Sequence, residues 1–156
     1  MAIAISLQEF LNSHHIEYDV LSHPYTTSSM SSAEAAKISG DMIAKCVVLE
    51  DDNGYVMAIV PATHHLDIGR ISRQFNRHLG LATEQELASI FSDCDLGAIP
   101  PIGDSYGMKV IVDDSLDQCP DIYFEAGDHT DMIHVRSEEF RKMTHNAHHG
   151  HFSHHL

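Results

Sequence analysis

Two apolar runs on either side of a short polar turn constrain this chain more than any other feature. Lys45-Cys46-Val47-Val48-Leu49-Glu50 and Tyr55-Val56-Met57-Ala58-Ile59-Val60 flank Asp51-Asp52-Asn53-Gly54. The Asn-Gly pair supplies the positive backbone angles that a tight turn needs, so the pattern predicts a β-hairpin. Strands this apolar must be covered, and a chain of 156 residues with 43% hydrophobic side chains can cover them within one core.

The covering elements are readable from caps and periodicity. Ser6-Leu7-Gln8-Glu9 has the form of a capping box and predicts a helix that buries Leu7, Phe10 and Leu11. Ile16 to Leu21 alternates apolar and polar residues before Pro24, which predicts a half-buried strand. A loop follows over Tyr25 to Ser32. Ser31-Ser32-Ala33-Glu34 predicts a second capped helix through Ile38, ended by Gly40. Ile68, Ile71 and Phe75 predict a helix between Leu66 and Leu79, and Thr83-Glu84-Gln85-Glu86 caps another that runs to Phe91. Residues Ser92 to Gly107, with three glycines and the pair Pro100-Pro101, are a long shaped loop. Strands are expected at Met108–Val112, Ile122–Ala126 and Met132–Arg136, and a last helix from Ser137. The order is mixed, hence α+β. Residues 1–143 are expected to form the domain, and residues 144–156, with six histidines, a disordered C-terminal tail.

Composition narrows the function classes. Nine Lys and Arg against 23 Asp and Glu give a formal charge of −14, a poor balance for holding long duplex phosphate. No stretch approaches the roughly 18 apolar residues of a membrane span, and Met1-Ala2-Ile3-Ala4-Ile5 lacks the charge of a signal peptide, so a cytoplasmic location is expected. Cys46, Cys94 and Cys119 are widely spaced, with no CxxC pair, which fits reduced thiols rather than a disulfide framework or zinc knuckle.

Two features carry chemistry. Lys45 stands where a loop enters an apolar strand; it is either a solvated strand-end lysine or a cation held beside a low-dielectric wall, where it can stabilise charge on an attacked carbonyl oxygen. Gly97-Ala98-Ile99-Pro100-Pro101-Ile102-Gly103 is either a plain turn or a stiff loop whose backbone does the recognising.

Taken in this order, Ala44-Lys45-Cys46-Val47-Val48-Leu49, Gly97-Ala98-Ile99-Pro100-Pro101 and Phe124-Glu125-Ala126-Gly127 resemble the YbaK-type aminoacyl-tRNA deacylases, the editing domain of bacterial prolyl-tRNA synthetases and its free-standing relatives. The resemblance covers Ser6 to Phe140. It implies a mixed, barrel-like sheet flanked by helices, with a pocket between the lysine strand and the glycine-proline loop. It implies hydrolysis of a mischarged aminoacyl-tRNA, a small residue such as Ala or Ser on a non-cognate tRNA, with tRNA-Pro the first choice. Lys45 and Gly97 would act on the ester. Ala98, Ile99, Pro100, Pro101, Gly127, Tyr18 and Thr26 would line the substrate site. No cofactor is implied. The acidic balance leaves a synthetase partner to hold the tRNA.

Three other groups invite attention. His145, His148 and His149 begin a His-rich stretch with helical spacing, a pattern that can ligate a metal but that Gly150 interrupts. His64-His65 with Asp67 resembles a catalytic pair or an exposed loop. Arg70, Arg73 and Arg77 form a basic stripe or a solvated face. The alternatives to a deacylase are a non-catalytic module that binds aminoacyl-tRNA or a synthetase, and a metal-buffering protein that uses the histidines.

Overall fold

The hairpin is the spine of the molecule. In this computed structural model, which describes residues 3–25 and 29–155, β2 (Ala44–Asp51) and β3 (Gly54–Pro61) pair antiparallel over their full length, from Ala44 opposite Pro61 to Asp51 opposite Gly54. Among the turn residues Gly54 alone takes a positive φ, +126°, so the turn is Asp52-Asn53 and the glycine opens the return strand. β3 is buried on both faces. Met57 and Ile59 enter one core cluster while Val56, Ala58 and Val60 enter another, which is why its run is continuously apolar.

Around the hairpin, β5 (Gly80–Leu81), β6 (Lys109–Asp113) and β9 (His148–Gly150) complete a five-stranded sheet in the order β5-β2-β3-β6-β9. Its β3–β6 and β6–β9 ladders are parallel and the others antiparallel. A second, antiparallel sheet has the order β1-β8-β7, from β1 (Asp19–Ser22), β7 (Asp121–Glu125) and β8 (Asp131–Arg136). A lone parallel bridge from Ile43 to Tyr123 joins the two sheets. β4 (His64–Leu66) pairs with β10 (Ser153–His155). The fold is mixed α+β, as expected, but no ladder among the described residues closes the sheets into a barrel.

The main core lies between the two larger sheets. It takes Leu7, Phe10 and Leu11 from α1 (Ile5–Ser13) and Phe140 and Met143 from α5 (Ser137–Met143). The other face of the five-stranded sheet is covered by Ile71 of α3 (Ile68–Gln74) and by Phe152. α4 (Glu84–Ile90) carries the full capping box between Thr83 and Glu86 that its sequence predicts.

Several local expectations are corrected. The Ser6–Glu9 box does not form. Ala4 takes the cap position of α1, and Ser6 gives its N–H and its hydroxyl to the Asp93 carboxylate at 3.0 and 2.6 Å. A charged acceptor from across the fold outcompetes a local one at a helix start. The strand expected at Ile16–Leu21 is shifted to β1 at the sheet edge, where Val20 is exposed. α2 (Ser29–Ala36) starts two residues early and ends before Lys37, which adopts φ +59°, so Gly40 belongs to the following 3-10 turn instead. α3 starts at its Asp67 cap, and Leu66 is left in β4.

The His-rich end departs most from expectation. Its residues form β9 and β10 rather than a disordered tail. Phe152 is fully buried between them and gives its N–H to the buried Asp113 carboxylate at 2.9 Å. This buried aromatic anchor holds the polar stretch together with the β6–β9 and β4–β10 ladders.

Candidate active site

β5 pairs with β2 at Leu49 and Glu50. The preceding edge of β2, from Ala44 to Val48, lines a cavity of about 340 Å³. Leu81, Ala82 and Leu87 line it as well, together with Gly97 and Ile99 of the long loop. Glu125, the last residue of β7, is on the wall as well. The Lys45 strand and the glycine-proline loop thus share one concavity, with a wall that is otherwise largely apolar.

Lys45 is half-buried, and burial pulls its ammonium below the usual lysine range. Nζ donates to the His64 carbonyl of β4 at 3.1 Å. Among the described residues no carboxylate lies within ion-pair distance of it. An ammonium with one hydrogen anchored has two more to offer, and its field is little screened beside apolar walls.

The loop divides into lining and supporting residues. Gly97 adopts φ +84°, a conformation that favours glycine, and it is exposed at the cavity. Ala98 is fully buried and its N–H is held by the Asp95 carbonyl at 3.1 Å, so it offers no free donor. Pro100 is buried, and its carbonyl accepts from Ile102 at 2.9 Å. Pro101 faces a separate small hollow beside Phe10 and Met143. Both prolines stiffen the loop from behind.

Two further expected site residues lie elsewhere. Gly127 packs against Ala4 at the start of α1 and accepts from the Asp95 N–H at 2.8 Å. Tyr18 lines a different hollow with Asp19, His134 and Glu139. Thr26 lies outside the described residues, as do Thr27 and Ser28.

Sequence reasoning assigned no role to Glu125. It is 3% exposed, and burial pushes its carboxyl above the usual range, against the hydrogen bond from Ser32 and the nearby His23. Its only signal was a carboxylate ending the apolar run Ile122-Tyr123-Phe124. The adjoining Asp128 and His129 are also buried. Asp128 accepts from the N–H of Thr130 and Asp131, while the His129 Nε2–H donates to the Leu96 carbonyl at 2.7 Å, which ties the β7–β8 turn to the long loop.

The cavity thiol is unsuited to attack. Burial pushes Cys46 strongly upward and Cys94 to about 12, so both stay protonated near neutrality. Among the described residues His145, His148 and His149 do not converge on one centre. His145 faces the Lys142 carbonyl, His148 rests on the Phe75 ring, and His149 meets Asp117 at 3.2 Å. Among the described residues His149 also lies near Asp114, on an exposed surface. The arginine stripe is broken as well. Arg77 lies beyond α3, where its Nε donates to Asp51 at 2.7 Å, and Arg70 pairs with Asp67 of its own cap.

A family profile described as the aminoacyl-tRNA editing domain matches residues 23–143. Among solved structures, the chain is similar to a candidate trans-editing enzyme for prolyl-tRNA synthetase, with 21% identity, a TM-score of 0.85 and coverage of 99% of this chain and 98% of that one. It is similar to a scaffold protein from epitope backbone grafting by computational design, at 19% identity, TM-score 0.84, and coverage of 100% and 99%. A candidate signal transduction protein from Marinobacter aquaeolei VT8 matches at 20% identity and TM-score 0.79, over 97% of this chain and 31% of its own. At such identities the likeness is one of fold. No curated protein matches the chain.

Proposed function

The chain belongs to the aminoacyl-tRNA editing domain family, and on that premise we propose that it acts in trans as a deacylase, hydrolysing the ester of a small amino acid wrongly attached to tRNA. The observation that carries this reading is the cavity shared by Lys45 and the Gly97 loop. A solved trans-editing candidate of the same fold along nearly its whole length supports action on tRNA charged elsewhere.

The chemistry needs few groups because an aminoacyl ester is already activated. Water attacks the acyl carbon, the carbonyl oxygen takes up negative charge, and the bond to the ribose oxygen breaks as that oxygen regains a proton. Lys45 offers its unanchored N–H donors to the developing oxyanion, while the His64 carbonyl limits the ammonium's freedom. A preorganised cation contributes most where water is excluded, as beside Val47, Val48 and Ile99. Gly97 lets the ligand approach the backbone closely, and the buried prolines keep that backbone in place. The amino acid is proposed to be Ala or Ser, the small residues that the family resemblance implies. The formal charge of −14 supports a synthetase partner that retains the tRNA, and the site of action is proposed to be the cytoplasm. No helix among the described residues is long and apolar enough to cross a membrane.

Lys45→Ala is expected to lower the deacylation rate on mischarged tRNA-Pro by about a hundred- to a thousandfold, the usual effect of losing one oxyanion donor. Single-turnover hydrolysis of Ala- and Ser-charged tRNA-Pro measures it. A variant that deacylates as fast as the parent overturns the role of Lys45, and a parent inactive across a panel of mischarged tRNAs overturns the function.

A further inference from the structure

The two carboxylate oxygens of Glu125 are treated unequally. Oε1 accepts from the Ser32 hydroxyl, whereas Oε2 is buried with no hydrogen-bond partner among the described residues. The nearest polar atom recorded for that oxygen is His23 Nε2, 3.9 Å away. His23 cannot close the gap by turning its other nitrogen, because Nδ1 faces the Pro24 carbonyl at 2.7 Å, and a carbonyl oxygen only accepts, so Nδ1 carries a proton there. In the neutral ring Nε2 is then a second acceptor, and it too is buried without a partner among the described residues. The neutral imidazole leaves Oε2 without a donor, and a protonated ring would face it only across the 3.9 Å of an ion pair, too long for a hydrogen bond. Buried acceptors left in this way are costly, and they mark a place where a donor is missing.

Glu125 is also the one carboxylate on the cavity wall among the described residues; apart from the Lys45 amine at the same cavity, that wall is largely apolar, with Ala44, Val47, Val48, Leu87 and Ile99. A complementary ligand group carries several N–H donors and positive charge at one end and a short apolar part beside it. The α-ammonium of an aminoacyl ester has this form. Resting on the editing function proposed above, we infer that Glu125 is the recognition residue for the substrate's free α-ammonium, so that the site accepts aminoacyl esters and rejects those whose nitrogen is acylated. An ammonium brings three donors and a full charge to a poorly solvated carboxylate, whereas an acylated nitrogen is neutral and retains one N–H. Burial raises the Glu125 carboxyl, and a cation seated against it reverses that penalty. The contact sorts substrates by whether their nitrogen is free, a choice separate from the size of the side chain.

The test uses the full chain and stable analogues in which an amide replaces the ester: 3′-alanylamido-adenosine, its N-acetyl form, and the 3′-propionylamido compound that lacks the nitrogen. Binding is followed by calorimetry, and turnover with Ala-tRNA-Pro and N-acetyl-Ala-tRNA-Pro. The parent protein is expected to bind the free-amine analogue at least about tenfold more tightly than either of the others, the usual range for a charged hydrogen bond. Glu125→Gln keeps the size and an acceptor for Ser32. It is expected to lose that margin on the free amine, leave the N-acetyl analogue unchanged, and show the same collapse in kcat/KM. Equal losses on all analogues, or none, overturn the inference and make Glu125 a structural or water-holding group. If Glu125→Gln does not fold, the propionylamido comparison decides on the unaltered protein, where equal affinity for it and the alanyl analogue overturns the inference. If neither ester is hydrolysed, the deacylase function fails by itself, and the binding arm still decides for or against the amine site.

Discussion

Gly127 holds φ at +103°, and a Cβ built there would stand 2.7 Å from the methyl of Ala4. The resemblance to known editing enzymes put this glycine beside the substrate, but its neighbours show why glycine is needed on packing grounds alone. It allows the β7–β8 turn to touch the start of α1, where the Ala4 N–H donates to the Ala126 carbonyl at 2.9 Å. Gly127→Ala is expected to lose about 1–3 kcal/mol from backbone strain together with the close contact. Urea unfolding measures this, and an unchanged midpoint would show that the Ala4 segment yields. Lys45 and Glu125 illustrate the opposite case at the same scale, charged side chains that the fold half-buries or buries beside an apolar cavity. Lys45 could be singled out from its place at the head of an apolar strand. Glu125 could not, because an unsatisfied oxygen is a relation among Glu125, Ser32 and His23, which are up to 102 positions apart in the chain and meet only in the folded molecule.

Among the elements, α1 is anchored from outside. Asp93, just after α4, accepts from Ser6 twice and from the Tyr106 hydroxyl at 2.7 Å. Burial pushes its carboxyl upward, yet these hydrogen bonds prevail and hold it down to about 2, below an ordinary aspartate near 3.8. A carboxylate with a lowered folded-state pKa stabilises above its unfolded value and loses that contribution as pH falls. The Asp93 contribution is therefore complete above about pH 4 and disappears as pH approaches about 2. Because the group is partly exposed, the acid-sensitive part is about 1 kcal/mol after solvent screening. Asp93→Asn is expected to be less stable than the parent near neutrality and to converge toward it in acid, as thermal unfolding across that range will show. A difference independent of pH would mean that the charge is immaterial. The Ser6–Glu9 motif predicted the existence of α1 correctly while misidentifying its cap, since a sequence window contains local acceptors and omits those delivered by tertiary contact.

Across the whole molecule, the His-rich end is linked to the candidate site. β10 pairs with β4, with Ser153 opposite Leu66 and His155 opposite His64, and the His64 carbonyl holds the Lys45 amine. Phe152 closes the second core cluster between these strands and α3. Phe152→Ala is expected to lose about 3–5 kcal/mol, the range for removing a fully buried phenyl ring. Truncation after Met143 removes β9 and β10 together. It is expected to lower both the unfolding temperature and the deacylation rate, because β4 loses its partner and Lys45 its fixed acceptor. Full activity with parent-like stability in the truncated chain would return the segment to the status of a dispensable appendage.

What the linear order determined by itself was everything set by near neighbours. The paired apolar runs and the turn residues between them specified the hairpin, the reciprocal caps of Thr83 and Glu86 specified α4, and glycine with proline kept Ser92–Gly107 out of regular structure apart from the 3-10 turn at Gly103–Tyr106. The motifs carrying the family resemblance are also contiguous, so membership was legible before the fold. Tertiary structure alone decided which motif residues face the cavity, which carboxylate caps α1, whether the histidines are a tail or two strands, and which buried oxygen lacks a donor. Those outcomes depend on burial and on partners distant in the chain, and hydrogen-bond satisfaction is defined only when every candidate partner has its place in space.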